Sequence, residues 1–163
     1  MNTEFDILAA SILIVDDQPV NVQLLEQLLA EGGYTQVTST MDPRAVSALH
    51  ATNRYDLILL DLKMPGMDGF QVMEALKNAG NDSYLSVIVL TGEPGHKLKA
   101  LQAGAKDFIS KPFDLIEVKT RIHNVLEVRL LYKKLAHYSQ LLEHAVRQGN
   151  EGLAAESSGD LRN

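Results

Sequence analysis

The chain has 163 residues, 45% of them hydrophobic, a formal charge of −6 and no cysteine. That length carries one ordinary domain plus some extra chain. The acidic balance argues against a nucleic-acid-binding surface, and the missing cysteine excludes disulfides, thiolate catalysis and cysteine–zinc sites. The N-terminus (MNTEFDILAA) has two acids and no basic stretch, and no apolar run approaches a membrane span. Neither a secretory signal nor a membrane segment is expected, and a cytoplasmic location is.

In chain order, Ser11–Val15 (SILIV) is a short β-branched run ending at two acids, which reads as a buried strand. Pro19–Ala30 places Val22, Leu25, Leu28 and Leu29 at helical spacing, and Gly32-Gly33 ends it. Gln36–Ser39 is a weaker strand. Asp42 caps a helix with Pro43 in its first turn, running to about Asn53. Leu57–Leu60 (LILL) is an unbroken apolar run, as a strand covered on both faces requires. A turn-rich loop, 64–69, leads to a helix over Phe70–Asn78. Ser86–Leu90 (SVIVL) is a second central strand, Lys97–Ala103 a short helix ended by Gly104, and Asp107–Ile109 a last short strand. A long helix starts at Pro112.

Alternating strands and helices imply a parallel sheet with helices on both faces. Five of each predict a flavodoxin-like doubly wound α/β fold, strand order 2-1-3-4-5, with the last helix extended. Ligands of such sheets bind beyond the carboxyl ends of the strands. Asp16 and Asp17 follow the first strand, Asp61 the third, Thr91 the fourth and Lys111 the fifth. Three close carboxylates stay ionised only with a cation among them, and an oxygen-only donor set selects a hard ion, Mg²⁺ or Mn²⁺. With Lys111 and Thr91 opposite, the set suits a phosphoryl group, with a carboxylate as the in-line nucleophile.

The segments LIVDDQPVN, LILLDLKMPGMDGF, VIVLTG and AGAKDFISKPF, in order and each at a strand end, make the chain resemble a response-regulator receiver domain over about Ser11 to Val128. The resemblance implies that Asp61 accepts a phosphoryl group from a sensor histidine kinase or a histidine phosphotransfer protein. It implies that Asp17 binds Mg²⁺ directly, that Asp16 holds a metal-bound water or orients the site, and that the Lys63 backbone carbonyl is a third ligand. Thr91 would hydrogen-bond the phosphoryl group, Lys111 pair with it, Phe108 act as the aromatic switch, and Lys111–Pro112 be a cis peptide. Gly92 stands where Ala is common. In the family the positions of Lys63 and Glu93 flank the phosphoryl group and influence its hydrolysis; here their opposite charges could pair across the mouth. The five histidines form no metal spacing and read as surface residues.

A receiver could stop near Val125, but the helical pattern runs on to about Gln148. Val128, Leu131, Leu135, Tyr138, Leu142 and Ala145 form an a/d seam of about two and a half heptads, marginal alone but able to form a parallel homodimer when backed by a domain. Three regions are therefore expected: a receiver over 11–128, an extended helix over 129–148, and a disordered tail over 149–163, rich in Gly, Ala, Ser and acids. The helix resembles linkers that join receivers to outputs such as HD-GYP-type cyclic-di-GMP phosphodiesterases. The alternative of an aspartyl-phosphate phosphohydrolase is disfavoured, because such enzymes place nucleophile and acid two apart on one strand end. The chain is expected to be a switch rather than an enzyme.

Overall fold

A computed structural model describes residues 6–79 and 85–160. Five strands, β1 Ser11–Val15, β2 Gln36–Thr40, β3 Leu57–Asp61, β4 Val87–Thr91 and β5 Asp107–Ser110, form one parallel sheet in the order β2-β1-β3-β4-β5. The helices are α1 Pro19–Glu31, α2 Val46–Asn53, α3 Gly69–Ala79, α4 His96–Gln102 and α5 Leu115–Asp160. The chain divides into two compact units, residues 1–130 and 131–163.

The central strands are apolar on both faces because helices cover both. Ile12, Ile14, Leu57, Leu59, Ile88 and Leu90 face α1 and α5, whose Leu25, Leu29, Val118, Ile122 and Leu126 complete that core. Leu13, Val15, Ile58, Leu60 and Val89 face the other way, onto Val46, Val72, Met73, Leu76 and Ala100. β2, at the edge, is only partly covered, which explains its weak apolar signal. A second constraint lies at the opposite end of the sheet from the acids. Asp56 is buried, accepts from Ser11 N at 3.0 Å, and has Arg129 Nε 3.5 Å away.

Three boundaries differ from the sequence reading. The first turn after Asp42 is a 3-10 turn over Pro43–Ala45, with Asp42 accepting from Arg44 N. α5 begins at Leu115 rather than Pro112, because Asp114 is the side chain that accepts from the free N–H groups of Ile116 and Glu117. The tail beyond Gly149, expected to lack regular structure, continues α5 as helix to Asp160. Glu151, Leu153, Ala154, Ala155 and Glu156 are good helix formers, and Gly149 and Gly152 weaken a helix without ending it. Residues 161–163 lie outside the described residues.

Gly69 opens α3 against the end of β3. A Cβ there would lie 2.7 Å from the Asp61 carbonyl oxygen and 2.9 Å from Leu62 Cα, both backbone atoms. Gly69→Ala is therefore expected to cost about 1–3 kcal/mol, the usual range for overpacking, and to displace Asp61. Urea unfolding checks this, and an unchanged midpoint would show that the loop relaxes freely.

Candidate functional site

Strand register brings the site together. Val15 pairs with Leu60, so the next residues, Asp16 and Asp61, stand side by side. Asp61 pairs with Leu90, one residue before Thr91, and Thr91 pairs with Ser110, one residue before Lys111. Asp16, Asp17 and Asp61 each offer a carboxylate oxygen, all within 4.8 Å of one another. Asp16, Asp61 and Thr91 are buried, and Asp17 is half-buried.

One ammonium holds two of the acids. Lys111 Nζ lies 3.3 Å from Asp16 Oδ2 and 3.2 Å from Asp61 Oδ1. Asp16 Oδ1 also accepts from Gln18 N at 2.9 Å, and Asp61 Oδ1 accepts from Lys63 N at 3.4 Å. The Lys111–Pro112 peptide is cis. Two carboxylates against one lysine leave Asp61 underneutralised. Burial above all, then the neighbouring Asp16 charge, pushes its carboxyl up to about 6, against the pull of Lys111 and the Lys63 N–H.

Asp17 Oδ1 is buried and has no hydrogen-bond partner, although a carboxylate oxygen sealed from water needs one. An orphaned acceptor beside two other acids, with oxygen donors only, fits a divalent hard cation: the missing partner and the missing charge would be supplied together. A Cys or His ligand, which would point to zinc, is absent from this cluster.

Thr91 Oγ1 accepts from Glu93 N at 3.0 Å and donates to Glu93 O at 3.3 Å. The Glu93 carboxylate is in contact with the Lys63 ammonium and lies 3.1 Å from His96 Nε2. Phe108 is half-buried, with Lys97 Nζ 4.6 Å and Arg121 Cζ 5.1 Å from its ring centre. The reading of all five histidines as surface residues fails at His50, which is buried and whose Nδ1 accepts from Tyr55 N at 3.2 Å. It misses His96 as well; the only sequence signal was its place three residues after Glu93. The seam residues Val128, Leu131, Leu135, Tyr138, Leu142 and Ala145 are all exposed, and so are Tyr132, Leu141 and Val146 beside them.

Residues 12–123 match the family model described as the response regulator receiver domain. The chain is 37% identical over 131 residues to the response regulator PleD of Caulobacter vibrioides, an alignment covering 78% of this chain and 28% of that protein. It is 31% identical over 143 residues to a probable cyclic di-GMP phosphodiesterase of Vibrio cholerae, covering 86% and 32%. The chain thus spans about a third or less of these two relatives. Among solved structures, the receiver domain of the sensor histidine kinase PA1611 of Pseudomonas aeruginosa superposes with a TM-score of 0.66 at 31% identity, covering 72% of this chain and 98% of that one. That structure carries a magnesium ion coordinated in its active-site cleft.

The raised carboxyl of Asp61 sets a stability window. Between an ordinary 3.8 and about 6, the folded chain keeps a proton that the unfolded chain has released. Metal-free stability therefore falls as pH rises through that window and stays low above it. Asp61→Asn is expected to be about 1–3 kcal/mol more stable than wild type at pH 7.5 without metal, with no such gain near pH 4. Mg²⁺ should raise the wild-type midpoint at pH 7.5 and leave that of the variant nearly unmoved. Urea melts with EDTA and with Mg²⁺ measure both, and an equal gain at the two pH values would contradict the charge account.

Proposed function

The chain belongs to the response regulator receiver domain family, and from that premise we propose that Asp61 is the phosphoacceptor of a phosphorylation-dependent signalling switch. The observation that carries this reading is the trio of Asp16, Asp17 and Asp61 with Lys111 Nζ bridging two of them at 3.3 and 3.2 Å. The donor is a histidine kinase or a histidine phosphotransfer protein. An Asp61 carboxylate oxygen attacks phosphorus, the O–P bond forms as the P–N bond to the donor imidazole breaks, and the imidazole leaves with the electron pair and takes up a proton. Lys111, released from sharing between two acids, pairs with one phosphoryl oxygen. The Thr91 hydroxyl donates to another, which requires it to leave Glu93. Asp16, Asp17, Asp61 and the Lys63 carbonyl would hold Mg²⁺, or Mn²⁺, which supplies neutralisation of the phosphoryl charge.

Lys111 and the Thr91 hydroxyl, with a cation held by the carboxylates, would neutralise charge on a phosphoryl group at Asp61. The paired acids follow β1 rather than standing two residues from Asp61 on one strand end, as in aspartyl-phosphate phosphohydrolases. The chain itself is therefore read as a switch, with catalysis limited to its own loading and unloading. The similarity to the Vibrio phosphodiesterase supports a second arrangement, in which a receiver over 11–128 and a helix from 129 precede an output domain. We place this chain in the cytoplasm, where such donors act, and assign it no direct nucleic-acid contact. Among the described residues, no helix is long and apolar enough to cross a membrane.

Phosphoryl transfer from acetyl phosphate with Mg²⁺ is expected to label one group per chain and to fail in Asp61→Asn, read by mass spectrometry. Glu93→Ala should change the decay of the label, since Glu93 stands with Lys63 at the mouth. Sustained release of phosphate from a phosphomonoester, well beyond one per chain, would instead mark a phosphohydrolase.

The exposed apolar face of α5 supports a homodimer through Val128, Leu131, Leu135, Tyr138, Leu142 and Ala145. Sedimentation equilibrium should give wild type about twice its 17.9 kDa chain mass. Leu135→Glu combined with Leu142→Glu should give a monomer with the receiver still folded. A monomeric wild type, loaded and unloaded, would end the dimer reading.

A further inference from the structure

We infer that His96 is a positioning residue for the phosphoryl site: it holds Glu93 across the mouth and thereby keeps Thr91 in its unloaded place. The inference rests on Asp61 as phosphoacceptor and adds a residue and a device to it. Thr91 has a single hydroxyl proton, and that proton is given to Glu93 O while Glu93 N donates back. A phosphoryl group on Asp61 can receive the Thr91 hydroxyl only if this loop lets go. What holds Glu93 therefore opposes loading.

Two side chains hold it, and they are unequal. Lys63 reaches Glu93 from the loop after β3, but its side chain is 70% exposed, and an exposed flexible pair is screened and contributes little. His96 reaches it from the first turn of α4, with Nε2 3.1 Å from Glu93 Oε2. The His96 ring is fixed from behind. It stands edge-on to Phe70, ring centres 6.0 Å apart, and Lys99 Nζ lies 4.3 Å from the other ring, that of Phe70. Its Nδ1 is buried with no partner, so the ring proton belongs on Nε2, toward Glu93. A neutral ring suffices for this hydrogen bond, and the hold needs no charge on the histidine.

The latch thus joins three elements: the end of β3 through Lys63, the β4–α4 loop through Glu93, and α4 through His96. An open cavity of about 460 Å³ lined by Leu62, Met64, Phe70, His96 and Lys99 adjoins it and gives the histidine ring room to swing aside. Contacts present only in the unloaded state lower the apparent affinity for any ligand that needs the loaded one.

The test is calorimetric titration of the full chain with beryllofluoride, a phosphoryl mimic, in saturating Mg²⁺. His96→Phe keeps the ring against Phe70 and loses the donor; it should bind about three- to fivefold tighter than wild type, the worth of one partly exposed charge-assisted contact. His96→Gln keeps a donor at the Nε2 position and should stay within about twofold of wild type. Glu93→Ala should tighten binding as His96→Phe does, and the double variant should add nothing further, a non-additivity that a merely structural role would not produce. Wild-type affinity in His96→Phe, or full additivity in the double variant, overturns the latch. If His96→Phe does not fold, the Glu93→Ala and His96→Gln titrations decide alone, an unchanged affinity in Glu93→Ala overturning it. A wild type that ignores beryllofluoride, or an Asp61→Asn that binds it equally, overturns the phosphoacceptor reading itself, a result independent of His96.

Discussion

Like charges crowded onto one edge of a sheet organise this molecule. The parallel register that stabilises β1 against β3 also forces Asp16 beside Asp61, and the turn after β1 adds Asp17. Folding therefore builds a repulsion that the chain only partly relieves. One ammonium, Lys111, serves two carboxylates, and the Gln18 and Lys63 N–H groups add a hydrogen bond to each. The unrelieved remainder is visible in the raised carboxyl of Asp61 and in the partnerless Asp17 Oδ1. A site in this condition responds strongly to added positive charge and to any group that lets Lys111 change partners.

The same edge is joined by packed contacts to α4 and α5. Thr91 ends β4, and its strand neighbour β5 carries Phe108 opposite Val89. Phe108 is gripped from two sides, by Lys97 of α4 and by Arg121 of α5, and Arg121 is itself held by Asp107 at 2.8 Å and Glu117 at 3.1 Å. A movement of the β4–α4 loop that displaces α4 displaces one side of this grip while α5 retains the other. Of the two cations only Lys97 belongs to the element that follows Thr91, so the contact from Phe108 toward that strand end runs through α4.

Much of the fold was legible because its signals are local. Unbroken apolar runs such as Leu57–Leu60 can be covered only on both faces, and strand ends place Asp16, Asp17, Asp61, Thr91 and Lys111 on one edge without any side-chain detail. Partners brought in by a turn of the chain or by another helix were illegible. His50 looks like a surface residue of an amphipathic helix until the chain turns back and Tyr55 N donates to it. His96 acquires its place only when Phe70, on another helix, packs against it. Boundaries shifted where a cap competed with a proline: Pro112 suggested a helix start, but Asp114 accepts the free N–H groups and α5 begins after it. The helix over 149–160 was not read from the sequence, because composition weighs glycine and serine as loop formers, whereas a helix already propagating meets only a modest cost at each.

α5 shows one pattern put to two uses. Val118, Ile122, Val125 and Leu126 are buried against the sheet and Leu130 is buried as well, whereas Val128 and, from Leu131 on, Leu131, Leu135, Leu141, Leu142 and Val146 are exposed. With Val128 at an a position, the flanking g positions are Glu127, Lys134 and Leu141, and the e positions are Tyr132, Ser139 and Val146. In a parallel pair each g residue faces the e residue of the next heptad in the other helix. The facing pairs are then Glu127 with Tyr132, Lys134 with Ser139, and Leu141 with Val146, so no like charges meet and the last pair widens the apolar seam. Identical chains can therefore associate in register without electrostatic cost. Charge at these positions thus neither opposes nor selects a second copy of this helix.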